Sequence, residues 1–287
     1  MQQILNLIRE NKSLDYLFFD DDNSDIYYCS KNSSASRFTH LHKCVMITHR
    51  YPEINLYIDH YLQKNPDKIN EINSKGWTAL MLASRNSSSF SSLETVKILI
   101  KHGANLNQTN ISHRNALFLA SRYSATESSL ETVDLLLKNK INVNHKDKNG
   151  FTALYYACHH ANTTSNIETV KLLLENGSDS NQTIMDVPII DDLHDFYDEG
   201  KINIHVLGLL IKHGAKSKKI LENRTIKKLL KYFGYIQSKY EKILDNINQE
   251  SVIIGSSNCF SCKKESVKTI INPDNKNLCL KCYYLNL

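Results

Sequence analysis

The ten residues Ser91–Ile100, SSLETVKILI, return as SSLETVDLLL at Ser128–Leu137 and as SNIETVKLLL at Ser165–Leu174, each copy 37 residues after the last. A fixed period of this size marks an array of one small structural unit, so this phrase decides the fold. On the same ruler Ala79, Ala116 and Ala153 fall in register, as do Leu80, Leu117 and Leu154, and Ala83, Ala120 and Ala157. Val96, Val133 and Val170 follow, then Leu99, Leu136 and Leu173. Asn107, Asn144 and Asn181 close the copies, with Asn70 one period earlier.

Each copy resolves into two short helices. The first, TALMLA at Thr78–Ala83, opens on a Thr whose hydroxyl can cap the first turn, and Asn115 holds that place in the middle copy. The second, within ETVKILIKHG, sets Val96, Leu99 and Ile100 at i, i+3 and i+4, one apolar stripe. Gly103, Gly177 and Gly214 can end their helices in a left-handed conformation. Lys140 stands there in the middle copy, at a cost of about 1 kcal/mol if the geometry is kept. The connectors NEINSKG and NHKDKNG carry turn formers suited to a tight hairpin. A unit of two helices cannot bury both faces alone and must stack on its neighbours as a solenoid.

Two weaker copies flank the three good ones. Upstream, YLQKNPDKIN at Tyr61–Asn70 keeps the register of ILIKHGANLN, with RFTHLHKCVMITHRYP as its first helix. Downstream, Leu210–Ala215 falls three periods after Leu99–Ala104, behind the acidic stretch MDVPIIDDLHDFYDEG. Five helix pairs are therefore predicted over 38–218, as 38–70, 71–107, 108–144, 145–181 and 182–218. Residues 1–37 are read as an N-terminal cap, with a short helix at Gln2–Glu10 and an Asp-rich loop after it. Residues 219–250 are read as a basic amphipathic helix, apolar at Ile226, Leu229, Leu230, Phe233, Ile236 and Ile243, and 251–287 as a separate tail.

Four cysteines crowd that tail. Cys259, Cys262, Cys279 and Cys282 form C-x2-C, sixteen residues, C-x2-C. Two such pairs offer four thiolates to one tetrahedral ion, the pattern of a structural zinc site. With all four positions filled by sulfur, no place is left for a catalytic water, so the zinc expected here is structural. Two disulfides are the competing reading, and a reducing compartment argues against them. Cys29, Cys44 and Cys158 are scattered and read as small buried hydrophobes.

Hydrophobic residues make up 41% of the 287 and charged ones 23%, ordinary for a soluble globular protein. No apolar run reaches the roughly 18–20 residues a membrane span needs, and MQQILNLIRENK lacks the apolar core of a signal peptide. A non-secreted, intracellular protein without a membrane partner is expected. The net charge of +5 gathers between Lys212 and Lys242. Such a run is a solvated helix face or, as the alternative, a nucleic-acid contact made together with the four-cysteine tail. No nucleophile–base pair and no phosphate-cradling glycine loop is legible. His159 and His160 beside Cys158 do not aim at one another from adjacent helical positions. Neither an enzyme nor a small-molecule substrate is expected.

NSKGWTALMLA, SLETVKILIKHGANLN and HKDKNGFTALYYACHH resemble ankyrin repeats, whose period is about 33 residues and whose first helix opens with T-P-L-H-x-A. Here Thr-Ala replaces Thr-Pro, and Met81, Phe118 and Tyr155 stand where that His would be. The surplus over the family period lies between Ala83 and Val96, in SRNSSSFSSLE. It reads as a Ser-rich extension of the surface turn joining the helices, which costs roughly a few tenths of a kcal/mol in loop closure. The ankyrin proteins of giant DNA viruses that infect amoebae look similar, down to a Ser/Asn-rich insert. The resemblance implies an all-α repeat solenoid, a non-enzymatic scaffold in a host cytoplasm that binds a partner protein across hairpin tips and the first-helix surface of its concave face. Carried over position by position, that surface is Lys75 and Trp77, His113 and Arg114, Lys148 and Phe151. Trp77 and Phe151 are its large aromatic anchors, unless they pack on the neighbouring hairpin instead.

Overall fold

The computed structural model describes residues 38–198 and 203–236, with the backbone of three further strands at 254–257, 267–271 and 277–279. The expected N-terminal cap, and Cys259, Cys262 and Cys282 of the tail, lie outside the described residues. The chain parts into two compact units at Ile226/Lys227.

Five helix pairs fill the first unit: α1 (His40–Val45) with α2 (Ile54–Lys64), α3 (Ala79–Arg85) with α4 (Leu93–Lys101), α5 (Ala116–Arg122) with α6 (Leu130–Lys138), α7 (Ala153–His159) with α8 (Ile167–Glu175), and α9 (Ile189–Asp198) with α10 (Ile204–Lys212). First helices pack on first helices along the array, and second on second. Thr78, Asn115 and Thr152 cap α3, α5 and α7 through side-chain oxygens that accept from backbone N–H groups of the first turn. Ala79, Leu80 and Ala83 are buried with their counterparts, as are Val96, Leu99, Val133, Leu136, Val170 and Leu173. Ile100 is only half-buried, whereas its counterparts Leu137 and Leu174 are buried.

The phrase that opens the second helix is spelled out atom by atom. Its second residue, Ser92, Ser129 or Asn166, is the helix N-cap and accepts from the N–H of the Thr three residues on. Its Glu sits in the first turn, where the helix dipole favours negative charge. Its Thr and first Ser turn inward against the preceding repeat. Thr95 Oγ1 lies 2.6 Å from Thr48 Oγ1, Thr132 Oγ1 donates to Ser87 Oγ at 2.6 Å, and Thr169 Oγ1 lies 2.6 Å from Ser124 Oγ. Ser91, Ser128 and Ser165 reach the same three hydroxyls at 3.3, 3.4 and 3.1 Å. Every one of these groups is buried.

The Ser-rich insert is therefore not a passive surface loop, as its composition implies. Ser87 belongs to it and is 7% exposed. Its backbone also bonds across repeats: His49 N donates to Phe90 O (3.2 Å), Ser88 N to Glu127 O (2.9 Å) and Ala125 N to Thr164 O (3.0 Å). The four additional residues per copy build a polar seam down one side of the stack. The asparagines that close each copy build another. Asn70, Asn107, Asn144 and Asn181 each accept, through Oδ1, from a backbone N–H of the next repeat at 2.7–3.0 Å.

The first pair departs from the 37-residue ruler. Thr39, not residue 41, caps α1, which places it 39 residues before Thr78. The T-x-L-H pattern is thus present once, as Thr39–His42, and the ruler hides it. His42 Nδ1 accepts from Thr39 N (3.2 Å) and pairs with Thr39 Oγ1 (2.7 Å), while Nε2 lies 2.8 Å from Trp77 O. Burial pulls the His42 pKa down to about 4, so the imidazole is neutral and its Nε2–H donates to Trp77 O.

Lys140 keeps the left-handed geometry of its glycine counterparts, with φ 61°. In the fifth repeat the hairpin becomes two short strands, β1 (Thr183–Ile184) and β2 (Val187–Pro188). They are joined by Met185 and Asp186, both at positive φ, as a two-residue primed turn requires. After α10 the expected long basic helix is broken: α11 (Lys218–Glu222) ends at Asn223, and α12 (Arg224–Tyr232) runs into Gly234 at φ 75°. Asn223 interrupts the run because its side chain caps α12, accepting from Thr225 N and Ile226 N at 3.1 Å each.

Candidate partner-binding surface

The hairpins between repeats form one rigid row. Asn73, Asn110 and Asp147, at a common place in the 37-residue period, are buried, and each Oδ1 accepts from two backbone N–H groups of its own hairpin at 2.8–3.1 Å. Neighbouring hairpins then bond to each other, Ile111 N to Lys75 O and Lys148 N to Ser112 O, both at 3.2 Å. A tip held on both sides presents its side chains without first having to order them, which spares binding the entropy of ordering a loop.

Of the six residues expected on this surface, His113 and Lys148 are exposed, and Lys75, Arg114 and Phe151 are half-buried. Trp77 is a correction. It is 6% exposed, so the indole belongs to the core, and its backbone carbonyl receives the His42 bond. Phe151 stacks on Tyr155, centroids 4.5 Å apart and planes 16° from parallel, and it meets Tyr156 edge-on at 5.8 Å. Packing on its own repeat takes much of its area.

Arg114 and Asp147 come together with a residue that the sequence reading passed over. Arg114 Nε is 3.3 Å from Asp147 Oδ2, whose side chain is fully buried, and Arg114 Nη2 donates to Tyr156 Oη at 2.7 Å. Tyr156 Oη in turn donates to Asp147 Oδ2 at 3.1 Å. Burial raises the Tyr156 pKa, so the phenol keeps the proton it donates. The triad ties α7 to its own hairpin and to the one before it. The recurrence of Asn73, Asn110 and Asp147 at the 37-residue interval was the signal for it. The exposed aliphatic side chains of the row were also missed: Ile72, Ile111, Met185 and Val187, at 51, 61, 90 and 45%. Isolated apolar residues in a turn carry no periodic signature.

His159 and His160 are ring neighbours at 5.0 Å, and His160 stacks on Tyr156. Burial, then Arg122 and His159, lower the His160 pKa to about 4. Cys158 is wholly buried and its thiol is pushed up by that burial, which makes it inert at neutral pH. Among the described residues no cluster of three or more His, Cys, Asp or Glu could hold a metal ion. No helix among them is long and apolar enough to cross a membrane.

A family model for ankyrin repeats matches three overlapping spans, 10–110, 41–147 and 91–184, together more than half of the sequence. The chain belongs to the ankyrin repeat family. Three ankyrin repeat proteins of Acanthamoeba polyphaga mimivirus are 39% identical over 103 residues, 42% over 80 and 38% over 78. These matches cover 32, 27 and 27% of this chain but only 16, 14 and 13% of the relatives, so the chain spans a small part of their length. In ankyrin terms, the row just described is the hairpin edge and α3, α5 and α7 are the first helices beside it.

The second unit carries an antiparallel sheet in the order β3 (Ile254–Ser257), β4 (Val267–Ile271), β5 (Asn277–Cys279). Both outer strands run against β4, so they point the same way and end at the same edge. Ser257 pairs with Val267 and Cys279 with Thr269, two residues apart on the central strand.

Proposed function

We propose that this ankyrin chain is a non-enzymatic scaffold that binds a partner protein along its hairpin row, in the cytoplasm of an infected host cell. One observation carries the reading: three successive hairpins are locked by buried Asx side chains and by each other, with His113, Lys146 and Lys148 exposed upon them. Rigid presentation of outward side chains is how such a scaffold engages a partner with little ordering cost. A photo-crosslinking residue at position 113 or 148 is expected to trap a specific adduct in amoebal lysate. The same residue at exposed Lys171 on α8 is expected to trap none. Equal labelling at both places would defeat the proposal.

In the same reading, Cys259, Cys262, Cys279 and Cys282 hold one structural zinc. Support comes from β3 and β5 ending at a common edge, about 10 Å apart across β4 by ordinary strand spacing. One C-x2-C pair begins two residues after Ser257 and the other begins at Cys279. Zinc would supply folding free energy that so short a segment cannot draw from a core. Native mass spectrometry before and after a chelator tests this.

A second reading, contact with nucleic acid, is favoured by α12, where Arg224, Lys227, Lys228 and Lys231 are all exposed and Tyr232 is 82% exposed. Steep loss of oligonucleotide binding with added salt is its signature.

A further inference from the structure

Surface lysines are ordinarily just solvated, so the hairpin row is informative only for what accompanies them. On the hairpins of the second to fourth repeats the acidic groups are already used: Glu71 pairs with Lys68 at 2.9 Å, and the Asp147 carboxylate is buried against Arg114 and Tyr156, while the exposed Asp186 lies on the next hairpin. Lys75, Lys146 and Lys148 make no ion pair among the described residues, and His113 stands exposed between them at φ 58°. The row therefore presents uncompensated positive charge. Between the charges lie aliphatic side chains open to solvent. Ile111 follows directly on the bond to Lys75 O, and Ile72 sits on the hairpin of Lys75. Of the eight large hydrophobic side chains exposed among the described residues, four lie on hairpins, Met185 and Val187 being the other two. That concentration marks an interaction surface rather than scattered exposure.

Resting on the scaffold reading above, we infer that the hairpin edge from Ile72 to Lys148 takes an extended acidic segment of a partner protein, one that also carries aliphatic side chains. Packed helices lie about 8–10 Å apart. An extended segment in polyproline II form advances about 3.1 Å per residue with about three residues per turn, so every third side chain faces the row and meets the next hairpin. Carboxylates pair with Lys75, Lys146 and Lys148, and aliphatic groups cover Ile72 and Ile111. Nucleic acid fits the row less well. A single strand wants aromatic platforms for its bases, and here Trp77 is buried and Phe151 is stacked on Tyr155.

The test is fluorescence anisotropy with the full chain and labelled twelve-residue peptides. One alternates Asp/Glu with Leu/Val, a second replaces the acids by Lys, and a third replaces the aliphatics by Ser; a twelve-nucleotide single strand is the fourth probe. The first peptide is expected to bind, to weaken at least tenfold with K146E/K148E and to weaken several-fold in 0.5 M salt. The Ser peptide is expected to bind several-fold less well, and the Lys peptide not at all. Equal binding of acidic and basic peptides, tighter binding of the oligonucleotide that is lost in K146E/K148E, or indifference of the acidic peptide to K146E/K148E each overturns the inference. Crosslinks at position 113 that persist undiminished in K146E/K148E overturn it too, yet leave the scaffold itself standing.

Discussion

Deleting Ser87–Phe90, the additional segment of the second repeat, separates a passive loop from a structural seam. If the insert only lengthens a surface turn, shortening it by four residues stabilises the fold by a few tenths of a kcal/mol. The seam predicts the opposite. The deletion removes the acceptor of Thr132 Oγ1, the Phe90 carbonyl that receives His49 N and the Ser88 N–H that donates to Glu127 O. At about 1 kcal/mol net for each of the three hydrogen bonds, a loss of about 3 kcal/mol is expected. A double-mutant cycle sharpens this. Thr132→Val and Ser87→Ala should each cost about 1–2 kcal/mol in a urea melt, with a coupling of at least roughly 0.5 kcal/mol because the two hydroxyls bond each other. A deletion that melts at or above the wild-type midpoint, with additive single substitutions, would refute the seam.

Leu136, wholly buried in the central repeat, should lose about 2–5 kcal/mol on Leu136→Ala, read by denaturant melt. Lys140→Gly should gain about 0.5–1 kcal/mol in the same assay, since it relieves a left-handed non-glycine residue at φ 61°. Acid should weaken the first repeat. His42 titrates at about 4 against an ordinary 6.5, so its neutral form is the folded one; stability is complete above pH 6.5 and about 3 kcal/mol is lost as pH falls to 4, a loss that His42→Gln should flatten. Cys262→Ser should abolish chelator-sensitive zinc mass and leave the cooperative melt of the repeats unchanged, because solenoid units lean on their neighbours.

The helix pairs were legible because their chemistry is periodic. A Thr or Asn cap, an Ala-Leu-x-x-Ala first helix and a Val-x-x-Leu second helix recur at fixed intervals, and burial follows them residue by residue. What a fixed ruler cannot find is a shift in the ruler. Two further residues in the first repeat move Thr39–His42 out of register, and with it the bond from His42 to the Trp77 carbonyl. Trp77 stays open in sequence between partner anchor and packing residue, because sequence gives a hairpin aromatic no sign of the neighbour that covers it. The surface residues were half legible: their hairpin positions follow from the period, whereas the exposure of Ile111 and Met185 depends on what fails to cover them.

The serines of the insert show why composition misleads here. Ser and Thr in a run between helices usually signify solvent, because a lone hydroxyl gains little by burial. Repetition changes that arithmetic. Each copy supplies both a donor for the repeat before it and an acceptor for the repeat after it, so Thr132 meets Ser87 while Ser124 meets Thr169. A hydroxyl that would be stranded in a single unit is satisfied in an array, and the satisfaction is directional. It is lost if one repeat slides or rotates against the next, a motion that the apolar stripe of Val96 and Leu99 alone tolerates better. The apolar face thus supplies most of the association between repeats, and the hydroxyl and asparagine seams set their register. That division explains why the phrase from Ser91 to Ile100 is kept nearly whole in its second copy: every polar letter in it has a partner in its own helix or one repeat away.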